Sequence, residues 1–137
     1  MCLMVYLASD KPLPLIDRNE DNPAFSITDL SKYEKNVGTQ FETPYVYNVG
    51  THQGCGCGFL KEFKEEDDLA LANENYLQLR TYLQKARETG ANSHIYSCWD
   101  GDQEAKPELR EEINLKRMIE VDFEFKEKAF YKILQEE

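Results

Sequence analysis

Long apolar runs, basic side chains and histidine are all scarce in this chain. No stretch approaches the ~20 consecutive apolar residues of a spanning helix, so no membrane segment is expected. The apolar run Met1 to Ala8 has no basic segment ahead of it and meets Ser9-Asp10-Lys11 at once, so it does not read as a signal peptide. Lysine and arginine number 16 against 26 aspartates and glutamates, a formal net charge of −10. Broad contact with nucleic acid needs a lysine- and arginine-lined surface, and this balance opposes it. Anionic membranes are disfavoured for the same reason. The partner classes left open are a small molecule or a protein, neutral or cationic. Phosphate-loop, dinucleotide and serine-hydrolase motifs are absent. So are solenoid-period repeats and low-complexity tracts.

What remains is an ordinary globular composition. The 137 residues are 41% hydrophobic, and a chain of this length buries roughly 68% of its unfolded surface without covalent staples. A single domain over 1–137 is expected. With no export signal, the four cysteines (Cys2, Cys55, Cys57 and Cys98) are read as thiols or metal ligands in a reducing cytoplasm.

The pattern along the chain predicts an α+β fold: a mainly antiparallel sheet built from hairpins, with one long amphipathic helix on one face. Cys2 to Ala8 is β-branched, aromatic and aliphatic without alternation, the mark of a strand buried on both faces. Phe25–Thr28 reads as an edge strand, and Ser31–Gln40 as helical turns stopped near Gly38. Tyr45–Val49 followed by a second strand through Phe59-Leu60 reads as a hairpin. Leu69, Ala72, Tyr76, Leu79, Leu83 and Ala86 recur at threes and fours, predicting a helix over about Glu66 to Thr89, with Gly90 as its left-handed cap. Ser93–Trp99 is a strand ended by the turn Asp100-Gly101. Asn114 is placed to cap a short helix, Leu115 to Glu120. Val121, Phe123 and Phe125 then alternate ahead of a hairpin partner over Ala129 to Leu134.

The most pointed chemistry is the run Gly54-Cys55-Gly56-Cys57-Gly58, with His52 just upstream. On an extended chain the two cysteines share one side and the glycines leave the other bare, open to a backbone, ligand or metal. Thiolate and imidazole are the ligands zinc prefers, four at a time. His52, Cys55, Cys57 and Cys98 are therefore the candidate metal ligands. His94 and Cys2 are further donors, and zinc is the candidate cofactor. His94 and Cys98 share a face of the Ser93–Trp99 strand with Tyr96. The spacing Cys-x-Cys is not the usual zinc knuckle, and no second knuckle exists.

Cysteine catalysis is the alternative. Cys55 or Cys57 would be the nucleophile, His52 or His94 the base, and glycine amides the oxyanion donors. A Cys2 freed by loss of Met1 could use its own amine as base, although a buried strand start is the simpler reading. The third reading makes every cysteine a small packing residue. Asp100, Asp102 and Glu104 alternate like cation ligands, but Ala105 stands where a calcium loop needs glycine. They are read as a solvated turn.

Overall fold

In the computed structural model, β1 (Leu3–Ser9) runs through the middle of a sheet and is buried along nearly its whole length. The structure describes residues 2–134 except Glu20, Asn22 and Phe63, so both ends of the expected 1–137 domain lie outside it. The remaining strands are β2 (Ser26–Asp29), β3 (Tyr45–Gly50), β4 (Ser93–Trp99), β5 (Leu109–Ile113) and β6 (Ala129–Ile133). They form a six-stranded sheet in the order β2-β3-β1-β4-β6-β5. Every pairing is antiparallel except β5 with β6. The expected α+β class and mainly antiparallel sheet are therefore present.

The helix α1 (Glu66–Glu88) lies on one face, with Ala72, Asn75, Tyr76, Leu79, Tyr82, Leu83 and Ala86 buried. Its C-terminus closes as predicted. Gly90 has φ +89°, its N–H donates to the Arg87 carbonyl, and the Ala91 N–H reaches back to Ala86. That double bond satisfies carbonyls the helix end would otherwise leave open. Asn114 caps the short α2 (Leu115–Met118) through Oδ1, which accepts from the Arg117 N–H. No helix among the described residues is long and apolar enough to cross a membrane.

Two expected hairpins are replaced. β3 has β1 on one side and β2 on the other, so no free edge remains for a strand following it. Gly56–Phe59 accordingly forms a 3₁₀ turn and not a strand. β6 is likewise enclosed by β4 and β5. Phe123 and Phe125 therefore join the core as irregular chain. β5 is a strand that the acidic sequence after Asp100-Gly101 does not announce. Its Arg110, Glu111 and Glu112 are exposed or nearly so, as suits an edge strand whose charges deter further pairing.

The sheet separates two cores. Leu3, Val5 and Leu7 join the larger one under α1, while Tyr6, Val37, Tyr96 and Cys98 pack on the opposite face. An aromatic group of Phe59, Tyr76, Phe123, Phe125 and Tyr131, with ring centroids 4.8–5.9 Å apart, ties α1 to the chain on either side of it. Such pairs add to the burial of their area.

Candidate metal centre

The cysteine run is held by its neighbours on both sides. Downstream, Phe59 is fully buried, and its carbonyl accepts from the Tyr76 hydroxyl at 2.8 Å. The same hydroxyl accepts from the Phe125 N–H at 3.0 Å, so one tyrosine fixes two irregular segments. Upstream, the buried Thr51 donates its hydroxyl to the Cys55 carbonyl at 2.6 Å and accepts from the Gly58 N–H at 3.1 Å. Asn75 on α1 donates to the Gly58 carbonyl at 3.2 Å. The loop is thus braced by buried polar groups whose loss would leave donors and acceptors unmade.

Gly56 decides how close the loop comes to β1. A Cβ there would lie 2.8 Å from the Leu3 carbonyl oxygen and 2.8 Å from Val5 Cγ2. Only a residue without a side chain lets the turn rest on the strand backbone. That contact brings Cys57 Sγ within 3.2 Å of the Leu3 N–H, which donates to it. Cys55, preceding the turn, accepts from the Cys57 N–H through its sulfur at 3.4 Å, acting as the cap of this single turn.

The outcome is a sulfur triangle. The Sγ atoms of Cys2, Cys55 and Cys57 all lie within 4.8 Å of one another, and all four cysteines of the chain are free thiols. Cys2 is exposed and the other two are half-buried, so the triangle opens toward solvent. It sits at the end of the sheet where β1 begins and β4 finishes, with the Asp100 N–H donating to the Cys2 carbonyl at 2.8 Å. Three such sulfurs could hold a metal ion.

The other nominated donors are placed elsewhere. Cys98 faces the second core beside Tyr6 and Tyr96, and burial pushes its thiol pKa up to about 12. Its β1 partner in the register is Met4, and the alternation that groups it with Tyr96 directs it away from α1. His94 shares that face and packs its ring 5.6 Å from Phe130. His52 points a ring nitrogen, Nδ1, at the Asn75 amide, 2.8 Å away. Since the amide nitrogen can only donate, Nδ1 accepts and the ring is held neutral. Burial lowers the His52 pKa in agreement.

Residues the sequence reading passed over carry much of the site. Nothing in the sequence around Thr51 marks it as a brace, and Tyr76 stands there only as one member of the apolar helical stripe. Asn75 had a signal: it is an amide at the edge of an apolar helical stripe, a position that demands partners. Cys2, named in sequence as a further donor and as the first residue of a strand, lies one residue ahead of β1 and is the donor that meets Cys55 and Cys57. No family model, curated protein or solved structure matches this chain.

Proposed function

We propose that the chain is a small metal-binding domain whose Cys2, Cys55 and Cys57 thiolates hold one thiophilic cation, with zinc the leading candidate. The observation that supports it is the mutual 4.8 Å limit on three sulfurs from two segments far apart in sequence. Zinc–thiolate bonds of ~2.3 Å place tetrahedral ligands about 3.8 Å from each other. The 4.8 Å limit on the sulfurs lies about 1 Å above that spacing. Three protein ligands leave one position open, the arrangement of a site that takes an exchangeable fourth ligand. In a reducing cytoplasm, the compartment the cysteine usage favours, the thiols remain available for it.

The thiol-catalysis reading has less support. Burial, with hydrogen bonding to its cysteine neighbours, pushes the Cys55 thiol up to about 12, the opposite of an activated nucleophile. His52 has given Nδ1 to Asn75. A bound cation would instead remove the thiol proton directly.

The test is elemental analysis of the purified chain, followed by cobalt substitution. One metal per chain is expected, with sulfur-to-cobalt charge-transfer absorption lost in Cys55→Ser and Cys57→Ser and kept in Cys98→Ser. A metal-free protein that fails to take up cobalt would sink the proposal.

A further inference from the structure

The three corners of the sulfur triangle are not equivalent. Cys57 is the tethered one: its Sγ accepts from the Leu3 N–H at 3.2 Å, and its side chain packs against the larger core. Cys2 is exposed, and Cys55 lines a surface cleft of about 400 Å³. The Cys55 thiol is hydrogen-bonded to the sulfurs of both Cys57 and Cys2. Cys98 lies on the other side of the sheet, in the second core.

Three thiols within 4.8 Å of one another offer three disulfide pairings, and their surroundings separate them. A Cys55–Cys57 bridge would close a ring with Gly56 alone between its residues. The turn that carries it is already shaped by the Thr51 hydroxyl and by contact with β1. So short a ring strains the separation and torsion a disulfide requires. A Cys2–Cys57 bridge would draw Cys57 off the Leu3 N–H and the core, leaving that donor unmade. The Cys2–Cys55 pair carries neither cost. One sulfur belongs to an exposed residue ahead of β1, and the two are already in contact. A disulfide sulfur also keeps the lone pairs with which Cys55 accepts from the Cys57 N–H.

We propose that Cys2 and Cys55 are a redox pair that closes to a disulfide under a peroxide and reopens under a dithiol. The exposed Cys2 thiolate attacks one peroxide oxygen. The O–O bond breaks, and the other oxygen leaves as hydroxide and takes up a proton to become water. The Cys55 sulfur then attacks the Cys2 sulfenic acid. The new S–S bond displaces the sulfenic hydroxyl, which takes the Cys55 proton and leaves as a second water. Two electrons pass from the sulfurs to the peroxide. On reopening, the dithiol supplies two electrons and two protons and becomes a disulfide itself. Closure withdraws two of the three metal-binding thiolates and so releases the cation; that consequence rests on the metal reading, whereas the disulfide does not.

The experiment treats the full, metal-free chain with one equivalent of hydrogen peroxide, alkylates the remaining thiols and maps the peptides by mass spectrometry. A parallel zinc-loaded sample is followed with a chromophoric chelator. A cross-link joining Cys2 to Cys55 is expected, with Cys57 and Cys98 alkylated. Cys57→Ser should form the same bridge, whereas Cys2→Ser and Cys55→Ser should lose it, with circular dichroism checking the fold of each. The loaded protein should release one zinc for each bridge formed, and dithiothreitol should restore uptake. A zinc-binding chain that forms no bridge, bridges another pair, or keeps its zinc once the bridge is complete overturns the inference and leaves the metal reading standing. A chain that takes up no zinc yet forms the Cys2–Cys55 bridge supports the redox pair and overturns the metal reading.

Discussion

Gly56→Ala isolates the contact on which the metal centre depends. The backbone there does not occupy the left-handed region, so alanine meets no torsional obstacle, and in a helical turn it would gain up to ~1 kcal/mol in propensity. The steric cost runs the other way. The new methyl would begin 2.8 Å from the Leu3 carbonyl oxygen and from Val5 Cγ2, where ordinary contacts start at 3.4 Å. Neither neighbour can yield: one is strand backbone paired to β4, and the other is a fully buried β-branched side chain. The turn must therefore lift from β1 by roughly half an ångström, and overpacking of this kind costs about 1–3 kcal/mol. The same lift lengthens the bond from the Leu3 N–H to Cys57 Sγ and moves two sulfurs away from the third. We expect urea denaturation of the metal-free protein to show a loss of about 1–2 kcal/mol once propensity is set against strain. Competition with a chromophoric chelator should show zinc held at least tenfold more weakly, about 1.4 kcal/mol. A Gly56→Ala protein with parental zinc affinity and stability would refute the claim that close approach to β1 sets the triangle.

Other outcomes follow from neighbouring contacts. Asn75→Ala removes the donor shared by the Gly58 carbonyl and His52 Nδ1, and should lower stability by about 1–3 kcal/mol by chemical denaturation. Cys98→Ser should retain full metal stoichiometry, because its sulfur faces the opposite core; a hydroxyl in that apolar site should cost about 1–3 kcal/mol in the same assay. Cys98 should also be the slowest thiol toward an aromatic disulfide reagent at neutral pH, because it alone of the four is fully buried and burial also pushes its pKa up to about 12. His94 should titrate below 6.5 in ring-resolved NMR, held down first by burial and then by Lys132, with Asp10 and Glu42 opposing. A histidine whose folded pKa is depressed contributes stability above its unfolded value, and that contribution is lost as pH falls through the folded one. The wild type should therefore lose stability relative to His94→Gln only below about pH 6.5, and a constant difference across that range would contradict the assignment.

Much of the architecture was legible because it follows from local periodicity. The three-and-four spacing of Ala72, Tyr76, Leu79, Leu83 and Ala86 admits one structure, a helix with one apolar face, and Gly90 marks its end. The apolar run of Cys2 to Ala8, without alternation, reads as a strand buried on both sides, and β1 is one, shifted by a residue to Leu3–Ser9. The period-two pattern of Ser93–Trp99 likewise places His94, Tyr96 and Cys98 on a common face. The two lost hairpins failed for a reason no local pattern contains. Whether Phe59 or Phe125 extends a strand depends on whether the adjacent edge is free, and β2 and β5, distant in sequence, occupy those edges.

The chain by itself thus determined the residue types available for chemistry, two cysteines among glycines with a third just ahead of a buried strand, and the excess of acidic over basic side chains. Which sulfurs meet was decided only by tertiary structure. Alternation predicts facing within one strand, whereas Cys2 reaches Cys55 and Cys57 because a side-chain-free turn settles on the backbone of β1. The same sheet sends Cys98 to its other side. Proximity between separate segments is a property of packing, and packing is set by the whole core at once.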